Sequence, residues 1–292
     1  MTTHNPLISV RELQERMATR PESVLVCDCR SDLVDVELGQ KLYSQAHIPG
    51  ARFVNMNTEL SGPKTGRNGR HPLPDKAVFA AALAQWGVNG DTLVVGYDSH
   101  GGMYGARLWW LVRRAGHANV AVLDGGLPAW EAAGLPVSAE PFAARPPGNV
   151  RQGSPHVTEV DLVNVRAGLG NPARIIVDAR PADRFQGQNE TLDPRPGHMP
   201  GAINRPSKGN VTDAGFFKDA ATLRAEYERL LGTHKPQQMV ASCGSGVSAC
   251  HMLLAMQIAG LPGGALYGGS WSEWSAQPDT PTEVGPAPGQ GT

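Results

Sequence analysis

Short apolar runs without polar interruption alternate along this chain with longer segments in which apolar residues recur at helical spacing. Two of the runs are Leu-Val-Val at 93–95 and Ile-Ile-Val at 175–177. Uninterrupted β-branched runs are typical of strands that are covered on both faces, as in parallel sheets. The longer segments, at 79–87, 104–116 and 249–260, each end in glycine, as helices often do. The pattern predicts the α/β class, with small parallel sheets flanked by helices.

The same series of motifs occurs twice, in the same order. The first half reads VLVCDCR at 24–30, AHIPGA at 46–51, TLVVGYD at 92–98, VAVLDGG at 120–126 and then Trp130, and the second reads RIIVDAR at 174–180, GHMPGA at 197–202, QMVASC at 238–243, GALYGG at 264–269 and then Trp274. An ordered duplication of this kind indicates two equivalent domains. We predict an N-terminal domain at 1–140, a Pro- and Gly-rich linker at 141–156, a C-terminal domain at 157–284 and a tail at 285–292.

Composition narrows the class of protein. The 292 residues carry a formal net charge of −1, so the chain lacks the basic excess that nucleic acids or acidic membranes attract. Its first twenty residues lack the basic start and apolar centre of a signal peptide, and no later apolar run reaches membrane-spanning length. Four cysteines are too few for a disulfide scaffold and wrongly spaced for a paired CxxC metal site. We therefore expect a cytoplasmic protein with free thiols and no nucleic-acid or membrane partner.

The candidate chemistry lies at Cys243. An apolar run ends at this cysteine, Gly244 and Gly246 follow, and the next segment has helical spacing. In parallel α/β sheets, ligands bind beyond the carboxyl ends of strands, where such a loop leads into a helix. The glycines let successive backbone N–H groups turn toward an anion, and the helix start adds its positive end. Both effects favour the thiolate of Cys243 and can stabilise a persulfide.

The loop has three other interpretations. Cys243 could be a buried structural thiol, as cysteines often are. The stretch 244–249 fits the GxGxxA pattern of dinucleotide-binding loops, but no acidic residue follows about twenty residues later to bind a ribose. A cysteine phosphatase would need an arginine six residues after its nucleophile to bind phosphate, and Ala249 stands there.

With the duplicated DxR and HxPGA motifs, the GG and Trp endings, and CGSGVSA in the second half alone, the chain resembles tandem-domain rhodanese-family sulfurtransferases of the 3-mercaptopyruvate type. The resemblance spans about residues 7–280. It implies a rhodanese fold in each domain, an inactive first domain in which Asp98 replaces the cysteine, catalysis by Cys243 in the second, and an active-site cleft between the domains.

The resemblance also implies how the sulfur donor is bound. Arg184 and Arg195 match the arginines that hold the carboxylate and ketone of 3-mercaptopyruvate, and arginine suits a carboxylate because its donors form a planar fork. Four loop residues are predicted to contact the donor: Gly244, Gly246, Val247 and Ser248. The loop carries no Lys or Arg between Cys243 and Ala249, whereas thiosulfate, a dianion, gains from cationic side chains there. Thiosulfate remains the alternative donor.

Ser245 is predicted to give or relay a proton. The resemblance pairs it with a histidine, matched by His71, and with an acidic residue whose place holds Asn57, so a charge-supported relay lacks its third member. Arg180 recurs as Arg30 in the inactive half, which favours a structural pairing.

The predicted reaction moves sulfur from a small anionic donor, through a persulfide on Cys243, to a thiol acceptor such as thioredoxin or to cyanide. It needs no metal and no organic cofactor. The alternative of another class is a non-catalytic tandem module that binds partners or senses oxidants. The remaining thiols, Cys27, Cys29 and Cys250, are expected to be structural.

Overall fold

The structure, a computed structural model, describes residues 5–286 and divides into two compact units. The first contains the described residues up to Ser61, Pro74–His156 and Val211–Phe217, and the second contains Gly62–Leu73, Val157–Asn210 and the described residues from Lys218 onward. Two short segments therefore pack with the unit opposite to their half of the sequence, and the segment predicted as a linker packs with the first unit. Of the predicted tail at 285–292, residues 287–292 lie outside the described residues.

The first unit is built on a five-stranded parallel sheet with the order β1-β5-β4-β2-β3. Its strands are β1 (Leu7–Ile8), β2 (Val24–Asp28), β3 (Arg52–Phe53), β4 (Leu93–Tyr97) and β5 (Val120–Leu123). Its helices are α1 (Val10–Thr19), α2 (Leu38–Gln45), α3 (Lys76–Gln85), α4 (Met103–Arg114) and α5 (Gly126–Ala132). Every residue of β2, β4 and β5 is buried, as expected of strands covered on both faces.

The second unit repeats this plan, with the strand order β6-β10-β9-β7-β8 and parallel pairing throughout. Its strands are β6 (Thr158–Val160), β7 (Ile175–Asp178), β8 (Ile203–Asn204), β9 (Met239–Ser242) and β10 (Ala265–Tyr267). Its helices are α6 (Leu162–Ala167), α7 (Ala182–Phe185), α8 (Ala220–Leu231), α9 (Val247–Ile258) and α10 (Ser270–Trp274). Short 3-10 helices lie at Pro21–Ser23, Ser207–Asn210 and Pro236–Gln238.

The predicted fold class is confirmed. The three segments predicted as helices correspond to α3, α4 and α9, and the duplicated motifs occupy the same places in two sheets of the same order. Among residues 5–286, no helix is both long and apolar enough to cross a membrane.

The repeated DxR and HxPGA motifs bind each other within each unit. In the second unit, Arg180 pairs with Asp178, with Nη2 and Oδ2 2.8 Å apart, and also donates to the carbonyl of Gly197. The next residue, His198, stacks on Phe185 with ring centroids 3.7 Å apart. The first unit makes the same contacts with Arg30, Asp28, Ala46, His47 and Tyr43. The predicted structural pairing of Arg180 is thus confirmed, and it fixes the chain that follows β7.

Candidate active site

Cys243 directly follows β9, which lies between β7 and β10 in the middle of the second sheet. The turn ends at Gly246, whose φ of 81° is left-handed and favours glycine, and α9 begins at the next residue. The backbone N–H of Gly246 donates to the Cys243 sulfur at 3.1 Å. The cysteine is only 2% exposed, so its sulfur faces backbone donors with little water to compete. This is the strand, turn and helix start predicted from the sequence.

Ser270 holds the cysteine from the other side. Its Oγ accepts the N–H of Cys243 at 3.0 Å and lies 4.0 Å from the Cys243 sulfur. Its φ of 54° is left-handed, which is unusual for a residue with a side chain. The equivalent residue of the first unit is Gly126, with a φ of 58°, where a Cβ would lie 2.0 Å from the carbonyl oxygen of Asp98. Only the unit with the cysteine carries a hydroxyl at this position.

In the first unit, the equivalent loop binds the carboxylate of Asp98. Asp98 is fully buried, and its carboxylate accepts four backbone N–H groups at 2.7–3.0 Å. The donors are His100, Gly102, Tyr104 and Gly105. Convergent amides of this kind form an anion-binding nest. The loop after β4 therefore holds a negative charge at the place that Cys243 takes after β9.

His71 and Ser245 are in contact. His71 Nδ1 lies 2.8 Å from Ser245 Oγ, and the two residues are only 6% and 4% exposed. His71 belongs to the segment 62–73, which packs with the second unit. Asn57, predicted at the place of the acidic partner, belongs to the first unit, where its N–H donates to Asn55 Oδ1.

The other predicted loop contacts lie around the cysteine. Gly244 is buried, and its carbonyl accepts the N–H of Ser272 at 2.9 Å. Val247 is buried and Ser248 half-buried in the first turn of α9, where backbone N–H groups lack intrahelical partners. The start of α9 thus adds positive potential beside the sulfur.

Arg184, at the end of the short helix α7, approaches the loop. Its Nη2 donates to Glu190 at 2.8 Å and to Asp193 at 3.0 Å. Its Nη1 would lie 3.6 Å from a Cβ built on Gly244. The structure therefore brings Arg184 to the Cys243 loop.

Among residues 5–286, Arg195 makes no hydrogen bond to the Cys243 loop. Its guanidinium donates to the carbonyls of Trp274, Ser275, Gln277 and Thr280. These carbonyls belong to the last residue of α10 and to the chain that follows it, so Arg195 stabilises the end of that helix and the chain after it. Its predicted contact with the sulfur donor stays a prediction.

Sequence reasoning missed Arg70, whose side chain lies where Arg195 was expected. Its Nε donates to Asp193 at 2.9 Å, and its Nη2 would lie 2.7 Å from a Cβ on Gly244. The only signal in the sequence is that Arg70 immediately precedes His71. Its approach depends on segment 62–73 packing with the second unit, which no local pattern predicts.

The other cysteines have different surroundings. Burial raises the pKa of Cys27 to about 12 and raises that of Cys29 well above its ordinary value. Cys250, in α9, donates its thiol to the carbonyl of Gly246 at 3.1 Å. Within residues 5–286, no group of three or more His, Cys, Asp or Glu side chains is arranged to hold a metal ion.

Known proteins are similar to this chain over more than nine-tenths of its length. A protein 41% identical, with the alignment covering 96% of this chain and 98% of the relative, is described as a probable 3-mercaptopyruvate sulfurtransferase of Pseudomonas aeruginosa. Another, 38% identical with the same coverage, is a putative thiosulfate sulfurtransferase of Mycobacterium tuberculosis. The crystal structure of SseA from Escherichia coli, described as a 3-mercaptopyruvate sulfotransferase, matches 92% of this chain and all of its own, at 31% identity and a TM-score of 0.78.

A family model described as the rhodanese-like domain matches the chain twice, at residues 9–133 and 162–277. The first match contains β2 to β5 and the second contains β7 to β10, so each covers four strands of one sheet. The chain therefore belongs to the rhodanese-like family and is a sulfurtransferase that contains two tandem copies of the family's domain.

Proposed function

We propose that Cys243 takes a sulfur atom from 3-mercaptopyruvate, holds it as a persulfide and passes it to a thiol such as that of thioredoxin, or to cyanide. One observation carries the proposal: the Cys243 sulfur accepts the Gly246 N–H at the start of α9, in a loop whose counterpart binds a carboxylate through four amides. Backbone N–H groups and the start of a helix stabilise negative charge on a sulfur atom at this place.

In the donor step, the Cys243 thiolate attacks the sulfur of 3-mercaptopyruvate. The carbon–sulfur bond breaks, and its electron pair goes to the enolate of pyruvate. The proton of the donor thiol ends on the enolate carbon, so the products are a persulfide anion and pyruvate. The Ser245 hydroxyl, 2.8 Å from His71 Nδ1, relays this proton, and Arg184 orients the donor through its guanidinium.

In the acceptor step, a thiolate or cyanide attacks the outer sulfur of the persulfide. The sulfur–sulfur bond breaks, and its electron pair returns to Cys243 as the thiolate. The reaction is a double displacement, for which ping-pong kinetics are expected. A cytoplasmic location belongs to this proposal, because reducing compartments keep cysteines out of disulfides, and the four cysteines, all within residues 5–286, form none.

Thiosulfate is a second candidate donor, with sulfite as the leaving group. The observation in its favour is the pair of guanidinium groups beside Gly244, from Arg70 and Arg184. They supply cationic donors that the loop itself lacks. The absence of Lys and Arg within the loop therefore does not by itself exclude a dianion.

Steady-state rates with each donor test the proposal. We expect a higher kcat/KM for 3-mercaptopyruvate than for thiosulfate, and no turnover with either donor in Cys243→Ser. A higher kcat/KM for thiosulfate would overturn the donor and keep the sulfurtransferase chemistry. Turnover that survives Cys243→Ser would overturn the mechanism and favour the non-catalytic module.

A further inference from the structure

We propose that Arg70 is a donor-binding residue, which forms with Arg184 a two-guanidinium site for the anionic group of the sulfur donor. This inference rests on the proposed function. It transfers to Arg70 the role that sequence reasoning gave to Arg195, whose donors are taken by backbone carbonyls.

Asp193 holds the two guanidinium groups side by side. Its Oδ1 accepts from Arg70 Nε at 2.9 Å, and its Oδ2 accepts from Arg184 Nη2 at 3.0 Å. Its side chain is only 1% exposed, and its own N–H donates to Glu190 at 3.1 Å. A buried carboxylate fixed in this way sets the spacing of the two arginines before any ligand arrives.

Each arginine keeps a donor group for a ligand. Among residues 5–286, Nη1 of Arg70 and Nη1 of Arg184 make no hydrogen bond, although the other nitrogens of both side chains do. The side chains are 23% and 16% exposed, so a small molecule can reach them. Because Asp193 and Glu190 balance the two positive charges, the site selects an oxyanion by the direction of its N–H donors more than by net charge.

The site lies against the catalytic loop because residue 244 is glycine. A Cβ there would come within 2.7 Å of Arg70 Nη2, closer than such atoms approach, so a larger residue would displace the guanidinium. Ser272 ties both parts together: its Oγ accepts the Arg70 N–H at 3.0 Å, and its N–H donates to the Gly244 carbonyl at 2.9 Å. The anionic end of a donor bound here lies beside Gly244, the residue that follows Cys243.

The carboxylate of 3-mercaptopyruvate and the sulfonate-like oxygens of thiosulfate both present two oxygens to such a fork. Binding changes no step of the transfer: the donor's bond to sulfur breaks as described above. The site raises the fraction of enzyme that holds the donor in position. Loss of the site is therefore expected to raise KM more than it lowers kcat.

The test compares Arg70→Gln with Arg67→Gln in the full-length protein. Arg67 lies on the same segment, is exposed, and its side chain makes no hydrogen bond or ion pair with the described residues, so its replacement removes the same charge without breaking a bond to the loop. We expect Arg70→Gln to raise KM for 3-mercaptopyruvate and for thiosulfate by about 10- to 100-fold, the usual effect of lost hydrogen bonds to a charged group. Arg67→Gln should leave both KM values within about twofold, by the usual neutrality of exposed charges.

Arg70→Lys keeps the charge and loses the fork, so its KM should lie between those of the wild type and Arg70→Gln. If Arg70→Gln does not fold, a KM for Arg70→Lys equal to the wild-type value overturns the inference, and a raised KM supports it. Equal KM values for Arg70→Gln and Arg67→Gln, in a protein that forms the persulfide, overturn the role of Arg70 alone. A wild-type protein that forms no persulfide with either donor overturns the proposed function itself.

Discussion

At the scale of single residues, the sulfur of Cys243 is positioned by groups that its counterpart in the first unit does not have. The Asp98 carboxylate accepts four N–H groups from the backbone that follows it. Cys243 has an additional partner, Ser270, whose Oγ accepts the Cys243 N–H at 3.0 Å. The backbone at Ser270 is left-handed, and this conformation costs free energy in a residue that has a Cβ. A strained residue beside a nucleophile is typical of a functional site, since folding stability alone would favour glycine there.

Replacing Ser270 separates this strain from the hydroxyl. Ser270→Gly removes both, while Ser270→Ala keeps the strain and loses the hydroxyl. We expect Ser270→Ala to be less stable than Ser270→Gly by about 1 kcal/mol, the usual cost of a left-handed residue with a Cβ. Both variants should form the persulfide more slowly than the wild type, because the Cys243 N–H loses its acceptor. Urea unfolding and single-turnover rates measure the two effects, and equal stability of the two variants would show that residue 270 is unstrained.

At the scale of elements, the recurring device is a buried parallel strand that ends in an anion-binding loop before a helix. In the first unit, this element joins β4 to α4 and encloses the Asp98 carboxylate. In the second, it joins β9 to α9 and presents a cysteine. The first loop is thus a structural element, in which a carboxylate of the chain itself takes the place of a ligand.

Asp98→Asn tests this view of the first loop. An amide keeps one acceptor oxygen and turns an NH₂ group toward two of the four backbone donors, which leaves them unpaired in a buried site. We expect the free energy of unfolding to fall by about 1–3 kcal/mol, the usual cost of an unsatisfied buried donor.

The matched control is Asp32→Asn. The Asp32 carboxylate also accepts backbone N–H groups, from Val34 and Asp35, but both bond to Oδ1 at a half-buried position, so the one oxygen of an amide can keep both bonds. Its effect should be clearly smaller. Equal losses for the two variants in urea unfolding would contradict the nest assigned to Asp98.

At the scale of the whole molecule, each unit contains a buried histidine whose burial favours the neutral form of the ring. Burial lowers the pKa of His117 in the first unit and of His198 in the second below the ordinary value of 6.5. His117 Nε2 lies 2.8 Å from the carbonyl of Thr92, and His198 Nδ1 lies 2.8 Å from that of Phe185. Each carbonyl can pair with a neutral ring that carries the proton on the facing nitrogen.

These shifts predict how stability depends on pH. Below about 6.5 the unfolded chain binds protons that the folded protein excludes, so this contribution to stability is present above that pH and is lost as the pH falls toward the lowered pKa values. We expect the urea midpoint to decrease from pH 7.5 to pH 5.5. His117→Gln and His198→Gln should each flatten this dependence. A midpoint that rises on acidification, or variants with the wild-type slope, would contradict the assignment.

Much of this architecture could be predicted from the sequence, because strand burial, helix spacing and the turn at Gly246 are local properties. The duplicated motifs also predicted two sheets, since Asp178, Arg180 and His198 recur with their partners. The donor site could not be predicted in full. Arg70, for which the sequence predicted no role, lies beside the Cys243 loop because segment 62–73 packs with the second unit, whereas carbonyls at the end of α10 and after it accept the Arg195 donors. Such long-range contacts of loops leave no periodic signal in the chain.

Sulfur transfer through Cys243 is tested most directly by mass spectrometry of the intact protein after brief incubation with 3-mercaptopyruvate or thiosulfate, followed by peptide mapping. We predict a gain of one sulfur atom on the peptide that contains Cys243, the same gain in Cys250→Ser, and none in Cys243→Ser. A wild-type protein that gains no sulfur, or that carries it on Cys27, Cys29 or Cys250, would contradict the central claim that Cys243 carries the transferred atom.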